Sequence, residues 1–81
     1  PEITVLDNRQ TPCAVGLIRA DEVAATLKPG TPLQILTRDR FAQVEIPLWA
    51  ERAGHSKPTI SRAGVWPLRH FVFSLVTGES K

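Results

Sequence analysis

Eighty-one residues, 42% of them hydrophobic, suffice for one small unit with a modest core, so residues 1–81 are expected to form a single domain. Ten basic against eight acidic side chains leave a formal net charge of +2, too balanced to imply nucleic-acid binding on charge alone. One cysteine excludes an intrachain disulfide, and no apolar run approaches the ~20 residues of a membrane span; the expectation is a cytoplasmic protein held together by packing.

Glu2 to Leu6 alternates polar and apolar residues and is predicted to be a strand, with Ile3 and Val5 on one side and Thr4 on the other. Asp7 to Gln10 is a polar loop. Thr11 and Pro12 then make a helix opening, threonine as N-cap and proline at the first helical position, which puts Cys13 second in the helix. Pro29-Gly30 stops that helix after about Lys28. Projected at about 100° per residue, Cys13, Leu17, Ala20, Ala24 and Leu27 fall on one buried stripe, with Val23 beside it. Val15 and Ile18 fall off the stripe, close to the thiol, and are a candidate docking surface.

Leu33 to Thr37 is the second strand, with Leu33 and Ile35 facing inward; a helix joining two such strands fits a parallel crossover. Arg38-Asp39-Arg40 turns the chain into a second helix over Phe41 to Ala53. Its apolar positions are taken as Phe41, Val44 and Leu48, and its stop as Gly54. Pro47 lacks a backbone donor, so this helix must start late or bend. Lys57 to Arg62 is a weak third strand, and Gly64-Val65-Trp66-Pro67 a turn or bulge. Leu68 to Val76 is the fourth strand, with Phe71, Phe73 and Leu75 on one face and His70, Val72 and Ser74 on the other. Gly78 to Lys81 is expected to fray. The order βαβαββ gives an α+β fold: a two-layer sandwich of a four-stranded mixed sheet with two helices on one face. The other face, with Thr4, Gln34, Arg38 and His70, is expected to be wet.

Cys13 is the residue with the most chemistry. The unpaired N–H groups that open a helix carry partial positive charge, which favours thiolate, the form that attacks sulfur. His55 and His70 have no metal-like spacing with Cys13 or each other, and the sequence has no Gly-rich phosphate loop or triad pattern; no metal or cofactor is called for. Trp49 and Trp66 are read as packing residues. Basic residues recur at Arg9, Arg19, Lys28, Arg38 and Arg40, and again from Arg52 to Arg69. They form either an ordinary solvated surface or a shallow patch for an acidic partner protein.

Several short runs then fall into a known register: Leu6-Asp7 ahead of Cys13, Lys28-Pro29-Gly30 after it, the strand Leu33 to Leu36, Asp39, Glu45-Ile46-Pro47-Leu48-Trp49 and Gly54-His55. From about Leu6 to Val76 the chain resembles the TusA/SirA-like sulfur-carrier proteins. That family carries a Cys-Pro-x-Pro motif whose cysteine accepts a sulfane sulfur as a persulfide. Here the matching stretch is Cys13-Ala14-Val15-Gly16, with the cysteine kept and both prolines replaced. In the family those prolines stiffen the first helical turn; here Pro12 stands just ahead of the cysteine.

The resemblance implies a sulfur-relay protein with Cys13 as its catalytic thiol, supported by Thr11 and Pro12, with Val15, Ile18 and Arg19 meeting partners. The implied partners are a sulfur-donor protein of the cysteine desulfurase or rhodanese type and a sulfur-acceptor protein, with no membrane. The alternative is a binding or regulatory domain of the same fold that has lost the transfer, favoured by Ala14 and Gly16; Cys13 would then be a buried structural residue. A third reading, nucleic-acid binding on the wet sheet face, is opposed by the lack of aromatic residues expected there.

Overall fold

The computed structural model describes residues 3–65 and 68–78, the side chain of Cys13 excepted. The chain runs β1 (Thr4–Asn8), α1 (Cys13–Ala25), β2 (Pro32–Thr37), α2 (Ala42–Ala53), β3 (Thr59–Ala63) and β4 (His70–Val76). This is the expected βαβαββ order. The strands form one mixed sheet in the order β1-β2-β4-β3, with β1 and β2 parallel and the other pairs antiparallel.

Register decides which side chains share a face. Leu6 pairs with Ile35, and Ile35 with Phe73; Leu33 pairs with Leu75. These five residues are buried on one sheet face, where they meet Ala20 and Ala24 of α1 and Ala42 and Ile46 of α2. Leu17, Val23, Leu27, Trp49 and Phe71 close the margin of this core. Two helices on one face of the sheet is therefore the architecture, as the hydrophobic pattern of β2 and β4 required.

Several sequence expectations fail; α1 stops at Ala25, short of Lys28, and three further failures have a physical reason. The first concerns β1, whose phase is the reverse of that read: Leu6 and Asn8 are buried, while Ile3 and Val5 are exposed and Thr4 turns toward the helices. Asn8 belongs to the strand rather than a loop, because its side chain finds a partner inside. The second concerns the inner face of α2. Phe41 and Val44 are 73% and 63% exposed, and Leu48 also faces out, whereas Ala42 and Ile46 are 1% and 3% exposed and Ala50 is buried. Small residues won over large ones because α2 packs against α1 as well as the sheet, and alanines permit close approach. Trp49 Nε1 donates to Asp21 Oδ1 at 3.2 Å and ties the two helices together. Pro47 sits inside α2, which begins at Ala42 and continues through it to Ala53.

The third is the tail. Gly78 does not fray: its N–H donates to His55 Nδ1 at 3.0 Å, and a Cβ there would collide with the Gly54 carbonyl. Gly54 ends α2 in the left-handed region at φ 83°, as its place after the helix requires. Residues 79–81 and the Trp66-Pro67 part of the expected turn lie outside the described residues.

Candidate functional site

Sheet topology brings the termini of several elements to one end of the molecule. The C-terminal ends of parallel β1 and β2 lie there at Asn8 and Thr37; through the antiparallel pairings so do Ala63 of β3 and His70 of β4. Both helices begin at this end, because each follows the C-terminus of a parallel strand. Their dipoles consequently point positive ends the same way.

Cys13 is the first residue of α1, one position earlier in the helix than the sequence suggested. Pro12, with φ −58° and ψ 150°, occupies the N-cap position in place of Thr11, and no side chain caps the helix. The first intrahelical bond runs from Gly16 N–H to the Pro12 carbonyl at 2.8 Å. The N–H groups of Cys13, Ala14 and Val15 precede that bond, and α1 has no acidic residue in its first turn to offset their charge. Thr11 instead accepts a hydrogen bond from Arg19 Nη1 at its Oγ1, 3.0 Å away, so the guanidinium reaches back along α1 to the helix start.

The first turn of α1 is fastened from below by Asn8. This side chain is 3% exposed, and its Nδ2 donates to the Gly16 carbonyl at 3.1 Å. A Cβ at position 16 would stand 3.0 Å from that nitrogen, so a larger residue would push Asn8 aside. Asn8 Oδ1 is buried with no partner among the described residues. The loop after β1 closes on the same residue, with Thr11 N–H donating to the Asn8 carbonyl at 3.1 Å.

Asp7 and Arg9 clamp the outer side of this loop. Arg9 donates from its backbone N–H and Nε to Asp7 Oδ1 and from Nη2 to Oδ2, the last at 2.7 Å. The Arg9 side-chain hydrogen bonds, reinforced by the backbone one, hold the Asp7 carboxyl down to about 2.

Of the residues singled out from sequence, Thr11, Pro12, Cys13 and Arg19 come together at the start of α1. Val15 and Ile18 are 48% and 59% exposed on the same helix. Of the two histidines, His55 is apart from them and His70 is at the same end. His55 lies against Trp49 at the far end, ring centroids 4.9 Å apart, and burial pushes its pKa down. His70 sits at the start of β4, with Nδ1 3.2 Å from the Leu68 carbonyl. Sequence reasoning missed Asn8; the signal was its two-residue step from Leu6, which placed both on one strand face.

The family profile described as sulfurtransferase TusA matches residues 4–69. This chain belongs to the TusA family. The crystal structure of the SirA-like protein from Desulfitobacterium hafniense has the same fold, with a TM-score of 0.68 and 22% identity over 96% of this chain and 100% of that one. No curated protein matches the sequence. Membership of the TusA family points to a sulfur-carrier role, and within that role the start of α1 is the part of the molecule with a thiol. No described helix is long and apolar enough to cross a membrane.

Proposed function

We propose that this TusA-family protein relays sulfur in the cytoplasm as a persulfide on Cys13. The Cys13 thiolate attacks the terminal sulfur of a donor protein's persulfide, of the cysteine desulfurase or rhodanese type. A bond forms between Cys13 Sγ and that sulfur, the donor's S–S bond breaks, and its electron pair leaves on the donor thiolate. Delivery to an acceptor protein is the same exchange in reverse, with no net oxidation. The observation that carries this reading is the position of Cys13 as first residue of an uncapped helix with no acidic residue in its first turn. That is the environment that favours thiolate.

Both family prolines are replaced here, and the geometry supports a substitute for their stiffening. Pro12 fixes the backbone just before the thiol, and the Asn8 to Gly16 hydrogen bond fixes the turn just after it. Gly16 belongs to this arrangement, since it leaves room for the Asn8 amide. The runner-up is a binding domain of the same fold without transfer, in which Cys13 would be inert.

Intact mass after incubation with a sulfane-sulfur donor separates the two. The carrier reading expects a gain of about one sulfur atom, reversed by reductant and absent from Cys13→Ala. No adduct, together with a thiol that resists alkylation in the folded protein, would overturn it in favour of the binding domain.

A further inference from the structure

The arginines concentrate at one end of the molecule. Six of the seven lie at the end where α1 and α2 begin: Arg9 after β1, Arg38 and Arg40 after β2, Arg62 near the close of β3, Arg69 just before β4, and Arg19 reaching back to Thr11. Arg52, near the C-terminus of α2, is the exception. Neither described lysine is among them: Lys28 follows the far end of α1 and Lys57 precedes the far end of β3.

Arg38, Arg40, Arg62 and Arg69 line one open hollow with Gln43, His70 and Phe71, and the Arg62 guanidinium lies 5.8 Å above the Phe71 ring. Arg38 also lines a second hollow, with Arg9 and Arg19 beside Thr11. The carboxylates of this end are Asp7, Asp39 and Glu45. Six arginines against three carboxylates leave a surplus of three positive charges here, in a chain whose formal net charge is +2. Two helix N-termini add to the field.

We infer that this arginine end is a docking surface for a carboxylate-rich segment of a partner protein, set beside the thiol-bearing turn. Guanidinium rather than ammonium suits the purpose, because its planar fork binds a carboxylate through two parallel hydrogen bonds and is weakly hydrated. The surrounding apolar surface favours protein over nucleic acid. Val15, Ile18, Val44, Val65 and Leu68 are exposed aliphatic side chains, and Arg with exposed apolar groups is the composition of protein interfaces. Base stacking needs an aromatic platform, whereas among the described residues Phe73 is buried, Phe71 is half-buried beneath Arg62 at the edge of the hollow, and Phe41 is a single exposed ring. The role of this surface in sulfur relay rests on the carrier reading; its chemistry does not.

The test is a fluorescence-anisotropy titration with a short labelled peptide of alternating glutamate and alanine, performed on Cys13→Ser so that no sulfur chemistry enters. Binding is expected to weaken with salt. It should weaken at least about tenfold in Arg40→Glu/Arg69→Glu, whose two positions lie outside helices and strands, and stay unchanged in Arg52→Glu. Amide shifts of the unsubstituted protein on adding the peptide should cluster around Arg40, Arg62 and Arg69; this readout stands even if the double variant folds poorly. Equal binding by the double variant, or shifts centred elsewhere, overturns the proposal. So does tighter binding of a single-stranded RNA of equal charge at the same salt, which would make the surface a nucleic-acid site. Failure of sulfur loading in the unsubstituted protein would sink the carrier reading and leave the peptide result standing.

Discussion

The two ends of this molecule are built on opposite terms. At the end away from Cys13, nearly every loop is cross-tied. Gly30 N–H donates to the Thr77 carbonyl at 2.7 Å, and Thr77 N–H returns a bond to the Thr31 carbonyl at 3.0 Å. The buried Thr77 hydroxyl donates to the Lys28 carbonyl and accepts from Thr31 N–H. Ser56 and Val76 exchange a further pair, and Gly78 is pinned to His55. At the thiol end, α1 opens without a side-chain cap, four arginines line one open hollow, and Asn8 Oδ1 is buried without a described partner. One end is tied together by backbone and hydroxyl hydrogen bonds, while the other carries an excess of arginine over carboxylate side chains.

The largest effect should come from breaking the tied end. Gly78→Ala forces a Cβ into the Gly54 carbonyl and is expected to cost about 2 kcal/mol, read as a lower midpoint in urea. Below its unfolding transition the variant should still take up sulfur on Cys13; loss of loading in the folded variant would show that the ends are coupled. Gly54→Ala, at φ 83°, should cost about 1 kcal/mol by the same measurement. At the thiol end, Asn8→Ala should also lose about 1 kcal/mol, with the loading rate of Cys13 falling in proportion to the freedom its first turn gains.

The smallest effects are in pH, and they sharpen the contrast. Burial lowers the folded pKa of His55 below its ordinary 6.5. The folded state therefore binds fewer protons, and stability should fall as pH drops below 6.5. Protonating Nδ1 also removes the acceptor of the Gly78 N–H, so the tied end should loosen first, seen as faster amide exchange at Gly78. Asp7 is depressed too, so its contribution is fully present above its ordinary 3.8 and is lost progressively as pH falls from there through about 2. A carbon-detected titration of Asp7 with a midpoint near 4 would mean that the Arg9 clamp does not hold in solution.

Much of the fold was legible in sequence because β2 and β4 alternate cleanly, Gly54 marks the end of α2, and a helix joins two strands. What failed was phase. Ile3 and Val5 are β-branched and attractive as core, yet Leu6 fixed the inner face of β1, and a polar Asn8 followed it inward because Gly16 offered a carbonyl. In α2 two apolar stripes compete, and side-chain size is a poor guide where helices must come close. Cys13 stood out as the lone cysteine at a helix start, and its spacing to later motifs gave the family resemblance. A shallow basic patch was one of two readings of the recurring basic residues, but its place at one end was not legible, since Arg9 and Arg69 are far apart in sequence and only strand pairing brings their neighbours together.

Strand order carries one more consequence. β4 lies between β2 and β3, although it is the last strand of the sequence. During synthesis β3 leaves the ribosome with no neighbour to pair with, and must wait as a solitary ribbon until residues 70–76 follow. β4 is the wedge that joins two otherwise unconnected parts of the sheet, the β1–β2 pair and β3.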